Sequence, residues 1–131
     1  FLKKINNYDL ITTSRFKNKK SLKAWPLFRI ILTNLRHFII RFFLDLSIDA
    51  SGAFRCYKID SFKTKDLLGA KDNGYSFFWE SIFILHKRKY LIGEIPISLP
   101  YRSIGSSKMK IKDIIFALIY ILNVFINKSK Y

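Results

Sequence analysis

Between Ile114 and Asn127 the chain carries no formal charge, and lysines close the run on both sides: Lys108, Lys110 and Lys112 before it, Lys128 and Lys130 after it. As a helix these residues extend roughly 20 Å at about 1.5 Å per residue. A bilayer core of about 30 Å needs about 20 apolar residues. The spacing therefore predicts a helix from Lys110 to about Asn127 that is too short to span a membrane and apolar on nearly every side. Two placements satisfy it: lying in or half-inserted into a membrane interface, or buried against protein. A second helical pattern, from Trp25 to about Leu46 with Pro26 in its first turn, has the same greasy character. Phe28, Ile31, Leu32, Leu35, Phe38, Ile39, Phe42 and Phe43 form a broad side, and Arg29, Thr33, Arg36, His37 and Arg41 run along the other.

The remaining segments alternate. Asp9 to Arg15 is β-rich without a breaker. Lys17 to Lys23 is a basic loop, and Asp49-Ala-Ser-Gly52 breaks the chain after the first long helix. Ala53 to Ile59 reads as a strand, and Asp60 or Ser61 is placed to cap a short helix through Leu68. Tyr75 to Lys87 reads as a helix and Leu91 to Leu99 as a strand whose Pro96 indicates an edge or bulge. Pro100 to Ser107 is a loop. Strands alternating with helices define an α/β layered fold. Two parts are expected: residues 1–109 as the body and residues 110–131 as the apolar interface helix with its basic tail. The first strand is expected to present an unpaired edge.

The net charge of +15 over 131 residues calls for an anionic partner. Nucleic acid is disfavoured: no RNA- or DNA-binding motif is present, and the aromatics sit inside apolar runs instead of alternating with basic residues. The single cysteine, Cys56, excludes an internal disulfide and a multi-cysteine zinc cluster. His37 and His86 have no metal-ligand company. Arg102-Ser-Ile-Gly105-Ser-Ser107-Lys108-Met109 stands directly before the apolar run. Its Arg and Lys bracket a Gly-Ser-Ser turn and make a compact cationic pocket, suited to a phosphate carried on a lipid.

Taken in order, six segments resemble the second half of family 2 glycosyltransferases of the polyprenyl-phosphate sugar synthase type. Asp9-Leu-Ile-Thr-Thr-Ser14-Arg15-Phe16 is similar to that family's D-L-V-x-G-S-R-Y strand. Trp25-Pro-Leu-Phe-Arg29 with Thr33 is similar to W-x-x-x-R-x-x-x-S. Asp49-Ala-Ser-Gly52-Ala-Phe54-Arg55-Cys-Tyr57 is similar to D-x-x-x-G-F-R-x-Y, and Gly74-Tyr75-Ser-Phe77-Phe-Trp-Glu80 to G-Y-x-F-Q-x-E. Glu94-Ile-Pro96-Ile97 is similar to E-V-P-I, and the segment from Arg102 to Met109 to R-x-x-G-x-S-K-M. Phe78 stands where the family has Gln, and Thr13 where it has Gly.

The resemblance implies a partial GT-A-like fold (the nucleotide-diphospho-sugar transferase fold) with interfacial amphipathic helices, lacking the N-terminal nucleotide-binding half. It implies transfer of a sugar, mannose first, from a nucleotide sugar to a polyprenyl or dolichyl phosphate, by a protein peripheral to or shallowly inserted in the cytoplasmic face of a membrane. A non-catalytic membrane- or phospholipid-binding remnant of that fold is the alternative. A divalent cation, Mg or Mn, is implied for a full enzyme, with its acidic ligands outside this chain; 1–131 alone is expected to transfer no sugar. By the same resemblance, Arg15, Arg29, Thr33 and Arg102 gather the acceptor phosphate. Ser107 and Lys108 serve that phosphate or the donor diphosphate, and Asp49 is the candidate catalytic or sugar-orienting carboxylate. The acceptor phosphate is already anionic, so the protein's task is positioning and charge, for which guanidinium groups are best suited. Glu80 and Arg55 read as structural partners.

Overall fold

The computed structural model describes residues 2–18, 20–23, 25–99 and 111–131. Among them are five α-helices and a three-stranded mixed sheet: α1 (Leu2–Ile5), β1 (Leu10–Ser14), α2 (Leu27–Leu44), β2 (Arg55–Tyr57), α3 (Thr64–Leu67), α4 (Phe77–Lys87), β3 (Ile92–Pro96) and α5 (Ile111–Ile126). The three long helices, α2, α4 and α5, each fall within two residues of their expected positions, as strong hydrophobic periodicity allows, whereas β3 stops three residues short of the expected Leu99.

The sheet order is β2-β1-β3. β1 pairs antiparallel with β2, Ile11 facing Cys56, and parallel with β3, Ile11 facing Gly93. The expectation of an unpaired first strand is therefore overturned: β1 is central, and all five of its residues are buried. The absence of polar alternation in Leu-Ile-Thr-Thr-Ser is what a strand covered on both faces requires. Pro96 closes β3, an edge strand in this sheet, where a missing N–H costs little.

The core lies where α4 and the C-terminal halves of α2 and α5 meet. Trp79, Ile82, Phe83 and Leu85 of α4 pack with Leu10, Ile40, Leu44, Leu46, Ile121 and Val124. Every residue of α4 from Trp79 to Leu85 is buried, so this helix runs through the protein instead of lying on it. α3 is shorter than expected. Its N-cap is Lys63, with no side-chain cap, and Ile59–Ser61 forms a separate 3₁₀ turn. Asp60 and Ser61 are spent in that turn, so neither caps the helix.

α2 and α5 pack on each other along one flank. Only Ile40 and Leu44 of α2 are buried, whereas Leu27, Phe28, Ile31, Leu35, Phe38 and Phe42 are exposed. The apolar side of α2 therefore faces outward along much of its length. On α5, Ile115, Phe116, Ile119 and Ile126 are likewise exposed. No described helix is long and apolar enough to cross a membrane.

A candidate anion site beside an apolar groove

β1 and β3 run parallel, so Arg15 and Ile97 emerge at the same, carboxyl end of the sheet, where ligands gather in open α/β folds. Arg15 is fixed there by Asp49 from the turn after α2. Its backbone N–H and its Nε donate to Asp49 Oδ2, both at 3.0 Å, and its Nη2 donates to Oδ1 at 2.9 Å. Ser51 completes the clamp: its Oγ donates to Asp49 Oδ1 at 2.9 Å, its N–H does so at 3.3 Å, and its Oγ accepts from Arg15 Nη2. The Asp49 N–H donates to Glu94 Oε1 at 2.8 Å, which ties the turn to β3. The other Glu94 oxygen lies 3.7 Å from Lys17 Nζ. Gly52 lets the turn lie against β1, since a Cβ there would stand 3.1 Å from the Thr13 carbonyl oxygen.

Asp49 is 1% exposed and accepts five hydrogen bonds, which use the acceptor capacity of a carboxylate. Burial pushes its carboxyl up, but the hydrogen bonds and charge of Arg15 outweigh burial and hold it below the ordinary aspartate range. It is an anionic anchor that orients Arg15.

The clamp borders an apolar groove between α2 and α5. A cavity of ≈ 160 Å³ there is lined by the polar side chains of Arg15, Thr33, Arg36 and Ser51 and by the apolar ones of Leu32, Leu35, Ile39, Ile114, Leu118 and Ile121. Arg15 and Ser51 also line a second cavity on the sheet side, with Thr13, Gly52, Phe54, Ile97 and Leu99. The clamp thus stands between a greasy groove and a space at the strand ends.

Of the expected site residues, the structure brings Arg15 and Thr33 to one cavity. Arg29 is half-buried one turn before Thr33 and outside the cavity lining. Arg102, Ser107 and Lys108 lie outside the described residues. Sequence reasoning missed Ser51 and Arg36. Arg36 sits three residues beyond Thr33 on the same helical stripe, so periodicity could have found it, but the matched motif ends at Thr33. His37, next along, stacks on Phe16 with centroids 4.0 Å apart. Burial foremost, against the opposing charges of Asp49 and Glu94, pushes its pKa down.

Two polar networks brace this arrangement. Arg55 donates from Nε to the Gly52 carbonyl at 3.0 Å, from Nη1 to Ser81 Oγ at 2.8 Å, and from Nη2 to the carbonyls of Ala50 (3.0 Å) and Phe78. It thereby fastens the clamp's turn to α4. Glu80, fully buried on α4, accepts from Tyr120 Oη at 2.8 Å, Tyr131 Oη at 3.0 Å and the Asp72 N–H at 3.0 Å. That network holds α5, one wall of the groove, and burial chiefly drives the Tyr120 hydroxyl far above its usual pKa.

Among the described residues no three His, Cys, Asp or Glu side chains converge to hold a metal ion. Asp49 and Glu94 are committed to Arg15, Lys17 and backbone, so neither carboxylate is available to a divalent cation.

The site is an Arg15–Asp49–Ser51 clamp beside an apolar groove, in a layered α/β body. Comparisons with known proteins place the chain among similar sequences. The chain is 28% identical over 102 residues to a polyprenol monophosphomannose synthase of Mycolicibacterium smegmatis, covering 77% of this chain and 38% of that protein. It is 28% identical over 109 residues to an undecaprenyl-phosphate mannosyltransferase of Micrococcus luteus, covering 82% of this chain and 45% of that protein. The chain thus spans less than half the length of either relative. No family model and no solved structure matches it. The resemblance drawn from short motifs is borne out over about four fifths of the chain: it is similar to polyprenyl-phosphate mannosyltransferases.

Proposed function

We propose that this chain supplies the acceptor side of an enzyme that moves a sugar, mannose, from a nucleotide sugar to a polyprenyl phosphate at a membrane surface. The observation that carries the proposal is the groove between α2 and α5, whose lining joins two guanidinium groups and two hydroxyls to a larger set of apolar side chains. A phosphomonoester on a prenyl chain has that same division, an anionic head on a hydrocarbon stem. Two of Arg15's three guanidinium nitrogens are held by Asp49 and Ser51, and among the described residues Nη1 has no hydrogen-bond partner, which offers it to a ligand in a fixed orientation. In this reading Asp49 positions Arg15 and touches no reacting atom. The phosphate oxygen attacks the anomeric carbon of a donor sugar that approaches from the strand-end cavity, and the bond from that carbon to the donor's diphosphate oxygen breaks, so that the nucleoside diphosphate leaves with the electron pair. A divalent cation on the donor's diphosphate would take its ligands from outside the described residues.

The surface supports the same reading. The outward apolar sides of α2 and α5 flank the groove and belong to a chain of net charge +15. Aromatic and aliphatic side chains settling into an interface, with lysines at the headgroups, is how a peripheral protein holds a membrane. The cytoplasmic leaflet, rich in anionic lipid, suits that charge.

The test is a transfer assay on the whole protein encoded by the reading frame that contains this chain, with a panel of nucleotide sugars and polyprenyl phosphates. Mannosyl transfer to the lipid phosphate is expected. Lipid binding with no transfer from any donor would replace the enzyme by a lipid-binding module.

A further inference from the structure

We infer that Arg36, which no matched motif contains, carries the charge that selects a phosphomonoester headgroup in the groove; this rests on the acceptor reading above. The argument is one of charge balance. Arg15 and Arg36 line the same cavity. Arg15 is bidentate to Asp49, so that pair is neutral. Arg36 has no carboxylate within ion-pair distance and no hydrogen-bond acceptor among the described residues. The net positive charge of the cavity lining is therefore that of Arg36.

That charge is poorly placed without a ligand. Burial, then the nearby Arg15 charge, push its pKa below the ordinary value for arginine, with Asp49 opposing. A guanidinium still stays protonated under such pressure, so the strain is relieved by an anion, not by losing a proton. An anion between the two guanidinium groups would accept from both, and Thr33, one turn before Arg36, supplies a hydroxyl on the same side. The apolar walls give such an anion a reason to carry a hydrocarbon stem. They give free phosphate nothing.

The experiment measures dissociation constants of the 131-residue chain, in detergent, for farnesyl phosphate, farnesol and inorganic phosphate. Arg36→Met keeps an unbranched stem against the groove wall while removing the charge. Arg41→Met, exposed on α2 and outside the cavity, removes one charge elsewhere. Farnesyl phosphate is expected to bind the wild type more tightly than either farnesol or inorganic phosphate. Arg36→Met should weaken it roughly 10- to 100-fold, the range for a lost charge-assisted hydrogen bond in a partly buried site. Arg36→Lys should restore part of that loss, Arg41→Met should change it less than about twofold, and farnesol should bind all variants alike. Equal losses in Arg36→Met and Arg41→Met would overturn the role of Arg36 and leave the acceptor reading standing. A wild type that binds farnesol as tightly as farnesyl phosphate would overturn both. Inorganic phosphate binding as tightly as farnesyl phosphate, and lost in Arg36→Met, would keep the anion at Arg36 and remove the lipid.

Discussion

Two arginines in this protein have opposite surroundings. Arg55, behind the clamp, meets three carbonyl oxygens and a serine hydroxyl, and its guanidinium also lies 5.7 Å from the centre of the Phe78 ring. Arg36, on the groove, meets no acceptor among the described residues. The contrast extends to the layers that hold them. From Trp79 to Leu85 on α4 the apolar side chains are buried and the polar ones are almost all hydrogen-bonded, Glu80 included. Along α2 and α5 large apolar side chains face outward. A polar group buried with partners stabilises a fold, whereas a charge left without one costs free energy until something binds it. Among the described residues the α4 layer satisfies its buried charges internally, whereas the α2–α5 layer leaves that of Arg36 without a partner.

The largest test of that difference compares two aromatics. Trp79 is fully buried on α4, and Phe42 is 70% exposed on α2. Trp79→Ala should destabilise by about 3–5 kcal/mol, enough to unfold a marginal domain. Phe42→Ala should stay within about 0.5 kcal/mol. Urea titration of both variants reads the result, and equal losses would mean that α2 packs as core.

Next comes the clamp, which joins the two layers. Asp49→Asn removes the anion that orients Arg15 and should cost about 3 kcal/mol at neutral pH, because a mostly buried guanidinium is left without its partner. The pH dependence has a definite sign. Asp49 is held below its ordinary value of 3.8 in the folded state, so the unfolded chain binds its proton first as pH falls. The advantage of wild type over Asp49→Asn should be full above about pH 5 and shrink as pH drops below 3.8. A difference that stays flat down to pH 3 would show that Asp49 is not held in its charged form. Binding of farnesyl phosphate should fall with Arg15's orientation even where Asp49→Asn remains folded.

The scaffold was legible in the sequence where periodicity is strong. Leu-Ile-Thr-Thr-Ser, the α2 stripe and the charge-free run of α5 each announced their element. Partners were less visible. That β1 is central depends on β3, about 80 residues further along, and a short segment does not encode a distant neighbour. The bulk of the apolar side of α2 was plain, but not that so much of it faces outward, since pattern marks a face without saying what covers it. In the site, Arg15 and Thr33 came from matched motifs. Asp49 came from a matched motif too, and only geometry shows its oxygens to be occupied by Arg15 and Ser51. Arg36 was overlooked because motif comparison ends where the motif ends, whereas a cavity is lined by whatever the helix turns toward it.

A smaller effect sharpens the reading of the outward face. Phe38 is 62% exposed on α2 and stacks only loosely on Phe42, with centroids 6.0 Å apart. Phe38→Ser should leave stability within about 0.5 kcal/mol. It should weaken partition onto vesicles containing anionic lipid roughly five- to tenfold, as expected when one ring no longer enters the interface. Co-sedimentation measures this directly. Undiminished vesicle binding would leave charge alone to account for any membrane contact, and the binding would then vanish in high salt.

The smallest effect asks whether the two layers unfold together. Two of the long helices are followed closely by a non-glycine residue in the left-handed region, Asp45 directly after α2 with φ 53° and Lys89 two residues after α4 with φ 67°. Both conformations are strained for a residue with a Cβ, so Asp45→Gly and Lys89→Gly should each stabilise by about 0.5–1 kcal/mol after the greater backbone entropy of glycine in the unfolded chain is set against the relief. Leu44 and Leu46, on either side of Asp45, are buried in the same core as α4. If that anchoring makes α2 part of one cooperative unit, both substitutions should raise the global unfolding free energy alike and slow exchange of the most protected amides in α4. A rise confined to α2 amides in Asp45→Gly would instead define the groove side as a separately opening unit. In that case the ordering of the groove would itself become part of what a bound lipid phosphate stabilises, and farnesyl phosphate should then protect the α2 amides more than those of α4.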